Sequence, residues 1–266
     1  MATKKRAVKK PSARIDQQKV DPSNPYNQNV QNAEALLRGE VIHPADFRSG
    51  SATWRIFRIM AEFVDGYDFL ADLKADITVF GSARTKPGSK YYELATDLTR
   101  HMAKAGYSVI TGGGPGIMEA ANKGATLGGG ESIGLNIQLP FEQRINKYVK
   151  HGMGFHYFFT RKVMLTSPSQ AFVAFPGGFG TVDEVMEVLT LMQTHKMQPV
   201  PVILVGAKFW GSLRNFIQEQ MLEEHNAIRD TDMNLFTIVD STKEAMAILK
   251  KHVVVDTLPK KKRRNG

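Results

Sequence analysis

Short apolar runs separated by longer amphipathic stretches set the rhythm of the chain. Residues 77–80, 108–111, 132–137, 171–175 and 200–205 are brief, rich in Val, Ile and Phe, and followed within a few positions by Gly or Pro, which is how strands of a buried sheet read. Between and after them, helical spacing predicts helices over 91–105, 116–127, 157–165, 181–194, 209–223 and 243–250, with a last strand over 236–239. Alternation of this kind predicts an α/β fold, a doubly wound Rossmann-like parallel sheet with helices on both faces. Upstream, Trp54, Phe57, Met60, Ala61, Val64, Phe69, Leu70 and Leu73 predict an amphipathic helix, or two broken near Gly66. Its apolar face should cover one side of the domain or pack on a second subunit. Residues 1–50 carry Pro11, Pro22, Pro25 and Pro44 among Asn, Gln and Ser and read as a flexible arm with at most one short helix around 33–37. The expected organisation is therefore this basic, polar arm, a single domain over 51–258, and a basic disordered tail over 259–266.

The candidate chemistry sits where strands end. Ala171-Phe172-Val173-Ala174-Phe175 runs into Pro176-Gly177-Gly178-Phe179-Gly180-Thr181-Val182-Asp183-Glu184, a strand, a glycine turn and a helix start bearing a carboxylate. Backbone N–H groups at such a turn are uncovered, and the helix dipole favours negative charge there, so it suits a phosphate. A second turn, Gly112-Gly113-Gly114-Pro115-Gly116-Ile117, follows another strand; its glycines exceed what a tight turn needs, since each costs up to about 1 kcal/mol relative to alanine. Ser82, after the first strand, either closes its own turn or adds a hydroxyl to the phosphate site. Glu187, one turn beyond Glu184, shares its helix face.

Other nucleotide signatures are missing. Ile117 stands where a dinucleotide fingerprint needs its third glycine, and no Walker A sequence occurs. Neither a Gly-x-Ser-x-Gly elbow nor a pyridoxal-phosphate lysine site is recognisable, and His151, His156 and His195 lack ligand spacing. No cofactor and no metal are expected. Thr181 to Glu184 also fits a capping box, with Thr181 as N-cap and Glu184 reaching back, and on local sequence alone that is the favoured role of Glu184.

Charge changes the picture little. The formal net charge is +9 over 266 residues, but eleven of the 35 Lys and Arg lie in residues 1–14 and 260–264, leaving 24 basic against 26 acidic residues elsewhere. The body is near neutral, and contact with nucleic acid is left to the two tails. The absence of cysteine excludes disulfides and thiolate chemistry. With no apolar run of about 20 residues and no signal-peptide core, a cytoplasmic protein without membrane contact is expected.

Four motifs in order, Val79-Phe80-Gly81-Ser82-Ala83, Gly112-Gly113-Gly114-Pro115-Gly116-Ile117-Met118, Arg161-Lys162 and Pro176 to Glu184, resemble the LOG family of phosphoribohydrolases, long mislabelled lysine decarboxylases. The resemblance covers about 77–206. It implies Arg161 and Glu184 as catalytic residues, reversing the capping reading of Glu184, with Lys162 left to pack or pair. Ser82, Gly112, Gly113, Gly114, Gly116, Gly177, Gly178, Gly180, Thr181 and Glu187 are the expected substrate-binding residues. The implied reaction is hydrolysis of the N-glycosidic bond of a purine nucleoside 5′-monophosphate, AMP or an N6-modified AMP such as a cytokinin riboside monophosphate. An anionic Glu184, stabilised near a helix N-terminus, is expected to oppose the sugar cation. The resemblance also implies a homodimer, or a higher homo-oligomer, with the site near the interface. The alternative is a nucleotide-binding regulatory protein with weak turnover.

Overall fold

In the computed structural model, residues 51–71, 73, 75–138 and 145–255 are described. The chain divides between Ser49 and Gly50, and every described residue lies in the second unit. The arm expected over 1–50, any short helix expected within it, and the tail expected over 259–266 lie outside the described residues.

Helix α1, Ser51–Leu70, precedes the alternating elements β1 (Asp76–Phe80), α2 (Lys90–Lys104), β2 (Ser108–Thr111), α3 (Ile117–Leu127), β3 (Ser132–Ile137) and β4 (His151–Phe155). Then come α4 (Phe158–Thr166), β5 (Ser169–Ala174), α5 (Phe179–Gln193), β6 (Val202–Val205), α6 (Ala207–Phe216), β7 (Thr237–Val239) and α7 (Thr242–His252). A π-helical extension, Ile217–Glu224, prolongs α6.

Among the described residues seven strands form one parallel sheet, in the order β4-β3-β2-β1-β5-β6-β7. The chain starts in the middle, builds outward to β4, then returns beside β1 to build the other half. The order reverses between β1 and β5, and open α/β sheets hold ligands outside the strand C-termini at that switch point.

Strand side chains alternate between two cores. Ile77, Val79, Val109, Ala171, Val173 and Ile203 face α2, α3 and α7. Phe80, Ile110, Ile133, Leu135, Phe172 and Leu204 face α4, α5 and the fully buried Trp210 of α6. Burial on both faces explains why these strands are nearly continuous apolar runs.

Of the two readings of residues 54–73, the single amphipathic helix is the one found, unbroken at Gly66 and ending at Leu70. That glycine lies inside α1 where a Cβ would stand 2.6 Å from Met164 Sδ, so it permits close packing on α4. Strand β4, His-Gly-Met-Gly-Phe, was not expected. It lies at the sheet edge, mostly exposed, and its two glycines erase the apolar alternation that marks a strand. Among the described residues no helix is long and apolar enough to cross a membrane.

Candidate active site

At the switch point, the loops after β1 and β5 wall a cavity of about 750 Å³, within the size range of small-molecule sites. The two loops are tied together: Ser82 N–H donates to Pro176 O at 3.1 Å, and Ile117 N–H donates to Ser82 O at 3.0 Å. Gly116 makes the second contact possible. Its φ is +71°, and a Cβ would fall 2.3 Å from Ser82 O, so a side chain fits neither conformation nor space.

The Pro176 to Thr181 turn forms one wall. Helix α5 starts at Phe179 with Gly178 as N-cap, leaving the N–H groups of Phe179 and Gly180 without an intrahelical carbonyl. The first bonds are those of Thr181 N–H and Val182 N–H to Gly178 O. Added Cβ atoms at Gly178 and Gly180 would meet nothing within 4 Å, whereas one at Gly177 would collide with the Thr181 side chain. An anion can therefore approach the turn closely, at the positive end of a helix.

The early start of α5 overturns the capping box. Thr181 is the third helical residue, not the N-cap, and Glu184 the sixth, so its side chain cannot reach back to the cap. Two flexible glycines let the helix begin before the residue that matches the template. A capping box is found instead at Ser241 and Glu244, where α7 begins.

Glu184 is 6% exposed. One carboxylate oxygen lies 3.8 Å from Arg161 Nη2, an ion pair too long for a hydrogen bond. The other, Oε2, finds no hydrogen-bond partner among the described residues, and the same holds for Arg161 Nε. Burial pushes the Glu184 carboxyl up to about 7, against the lowering pull of Lys162 and Arg161. The expected stabilisation of its anion by the helix end is thus corrected: Glu184 lies beyond the first turn, where the dipole fades, and desolvation wins. Burial likewise lowers Arg161, which Glu184 counteracts, and Phe158 stacks on its guanidinium at 5.5 Å. Buried polar atoms without partners are rare in folded proteins; here two of them accompany a cation and an acid at one cavity.

Of the residues expected at the site, Ser82, Gly112, Arg161, Gly177, Gly178, Gly180, Thr181 and Glu184 line the cavity. Ser82 Oγ also accepts the N–H of Arg84 at 3.1 Å, closing its own turn. Gly113, Gly114 and Gly116 do not line it. Asn146 Nδ2 donates to the carbonyls of Gly113 and Gly114, so these glycines shape the loop rather than the wall. Glu187 also stands apart, paired to Lys162 at 2.9 Å, while Lys162 holds Asp183 at 2.7 Å.

Sequence reasoning missed Arg84 and Thr85, beyond Ser82, and the apolar wall of Met118, Ile137, Phe158 and Leu165. The Arg84-Thr85 pair follows a glycine turn at a strand end and could have been flagged on that ground. The wall residues come from three separate elements, and apart from Met118, which closes the second glycine motif, they carry no local signal. Among the described residues no group of three His, Cys, Asp or Glu could hold a metal ion.

Comparison with known proteins gives this geometry its context. A family described as "Possible lysine decarboxylase" matches residues 118–249. The cytokinin riboside 5′-monophosphate phosphoribohydrolase of Rhodococcoides fascians is 30% identical over 152 residues, 55% of this chain and 76% of that one. A phosphoribohydrolase of the same description from Arabidopsis thaliana, LOG3, is 27% identical over 180 residues, 66% of this chain and 82% of that one. Among solved structures, the molybdenum cofactor carrier protein of Chlamydomonas reinhardtii superposes with a TM-score of 0.52 at 25% identity, covering 67% of this chain and 97% of that one. The molybdenum cofactor binding protein of Rippkaea orientalis gives 0.51 at 21% identity, covering 67% and 96%, a likeness of fold. The chain belongs to the LOG family.

Proposed function

We propose that the protein hydrolyses the N-glycosidic bond of a purine nucleoside 5′-monophosphate, AMP or an N6-modified AMP, releasing the free base and ribose 5-phosphate. The observation that carries this reading is the buried Arg161 and Glu184 pair with its unsatisfied Nε and Oε2 beside an open anion-binding turn. The names of the curated relatives support the same chemistry. The phosphate sits on the turn from Gly177 to Thr181, and the base lies against the apolar wall. As the bond between C1′ and the base nitrogen breaks, its electron pair leaves with the base and the sugar becomes cation-like. The Glu184 carboxylate opposes that charge and orients the attacking water, whose oxygen bonds to C1′ while the proton it gives up balances the one taken by the departing base, so that ribose 5-phosphate and neutral base are released. Arg161, a fork of five donors, holds the nucleotide.

A homodimer, or a larger homo-oligomer, belongs to the same reading. Phe179, at the tip of the turn, is 97% exposed, and Trp54, Phe57, Met60 and Val64 form an exposed stripe on α1. Apolar surface of this extent on a soluble chain marks an interaction site. A cytoplasmic setting completes the picture.

Chromatography of protein incubated with AMP, IMP, GMP and isopentenyl-AMP tests the activity. Release of base and ribose 5-phosphate from an adenine nucleotide is expected; binding without cleavage of any of the four would favour a nucleotide-binding regulator.

A further inference from the structure

Helix α4 carries Arg161 yet has no cap of its own: its N-cap is Tyr157, whose side chain makes no capping bond. The missing acceptor comes from another helix. Glu62 of α1 accepts the N–H of His156 at 2.6 Å through Oε1, and through Oε2 the N–H of Tyr157 at 3.3 Å and the hydroxyl of Thr160. The carboxylate thereby satisfies donors at the positive end of α4 that the helix itself leaves open.

Below this contact the two helices are pressed together where Gly66 meets Met164. At the far end of α4, the Tyr67 hydroxyl lies 3.4 Å from Ser167 Oγ. Helix α1 therefore grips α4 along its length, with Glu62 at the turn that leads directly to Phe158 and Arg161, both in the cavity wall. Arg161 N–H itself donates to Tyr157 O at 3.3 Å, one residue from the atoms Glu62 holds. The grip comes from outside residues 118–249, the stretch matched by the family.

We propose that Glu62 is a positioning residue for the site: by capping α4 from α1 it fixes the Arg161 guanidinium against Glu184, so that the helix ahead of the sheet helps to position the Arg161 and Glu184 pair. This rests on the hydrolase reading above. The competing role is plain docking of α1, which would affect stability without passing through Arg161. The two differ in coupling, because residues that act through one another have non-additive effects.

The test is a double-mutant cycle in the full chain: wild type, Glu62→Ala, Arg161→Ala and the double variant, with kcat and KM for AMP measured well below each melting temperature. Glu62→Ala should lower kcat/KM by roughly a hundredfold, the scale of an ångström-sized misplacement of a catalytic group. Glu62→Gln, which keeps one oxygen as acceptor but turns an NH2 group towards the remaining donors, should recover only part of the loss. The double variant should be no slower than Arg161→Ala alone. Multiplied losses in the double variant, or wild-type turnover in Glu62→Ala, would overturn the proposal. Should Glu62→Ala fail to fold, Glu62→Gln carries the same cycle at smaller amplitude. If the wild type cleaves no nucleotide, the hydrolase reading fails separately. The cycle is then read in AMP dissociation constants, where coupling between positions 62 and 161 supports the positioning role and additivity removes it.

Discussion

Replacing Glu184 by glutamine separates chemistry from stability. The carboxyl is ordinarily half-protonated at 4.5 and is pushed up to about 7 in the fold. Between those values the folded protein holds a proton that the unfolded chain has released, so stability falls as pH rises through this window and the loss is complete above about 7. At about 1.4 kcal/mol per pH unit the penalty of the buried anion reaches roughly 3 kcal/mol at pH 8. Glutamine keeps the shape and removes the charge. It also leaves Arg161 without its anion, so about 3 kcal/mol is an upper figure for the gain. For a domain of this size each kcal/mol moves the melting temperature by about 2–4 °C, and Glu184→Gln should therefore melt several degrees above wild type at pH 8, with the difference vanishing near pH 4.5. Its hydrolysis of AMP should fall by on the order of a hundredfold or more, the usual cost of losing a preorganised electrostatic group. Calorimetric scans at both pH values together with an AMP assay decide the matter. A variant that melts below wild type at pH 8, or that turns over AMP normally, would refute the reasoning.

In the proposed mechanism the ionised Glu184 is the working form, so kcat/KM of the wild type should rise with pH through about 7; a rate falling through that point would make Glu184 a proton donor instead. Asp76, buried at the end of β1 away from the cavity, is pushed up to about 6 by burial against the lowering effect of Ser108, and one of its oxygens has no partner among the described residues. The folded carboxyl thus holds its proton longer than the unfolded one, stability declines from about 3.8 to about 6, and Asp76→Asn should raise the melting temperature at pH 8 while leaving kcat/KM for AMP unchanged; a lower melting temperature at that pH would contradict this. At Gly180 a methyl group has free space, so Gly180→Ala should fold as well as wild type but lower kcat/KM about tenfold or more by occupying the room a phosphate needs; unchanged kinetics would remove the phosphate from this turn. Phe57→Asp combined with Met60→Asp should convert a sedimenting dimer into monomer, and a wild type that is already monomeric at micromolar concentration would dispose of the interface.

What was legible in the sequence follows from how local each signal is. β2 and β3 begin and end where expected because their apolar runs stop at glycine or polar residues on both sides. The glycine turns announced the cavity end of the sheet, where strand order brings the β1 and β5 loops together. That Glu184 lies at the cavity was legible, but not its state: Thr-Val-Asp-Glu matches a capping template, and only the start of α5 at Phe179 shows that the carboxylate turns inward and is desolvated. Gly113, Gly114 and Gly116 looked like ligand contacts because sequence cannot tell a glycine that admits a phosphate from one that admits a neighbouring carbonyl. Glu62 had no signal at all, since its contacts lie 94 to 98 positions away in the chain. The apolar wall was hidden for the same reason.

The comparison that bears most directly on the central claim is kcat/KM for AMP against adenosine, followed by release of free adenine. A phosphate anchored on the Gly177 to Thr181 turn supplies binding energy remote from the reacting bond, which the site can use to hold the sugar against Glu184. AMP should therefore be cleaved at least a hundredfold more efficiently than adenosine, a difference of about 2.7 kcal/mol in transition-state stabilisation. Equal efficiency for the two, with adenine released from both, would mean that the turn holds no phosphate and that the site works in some other way.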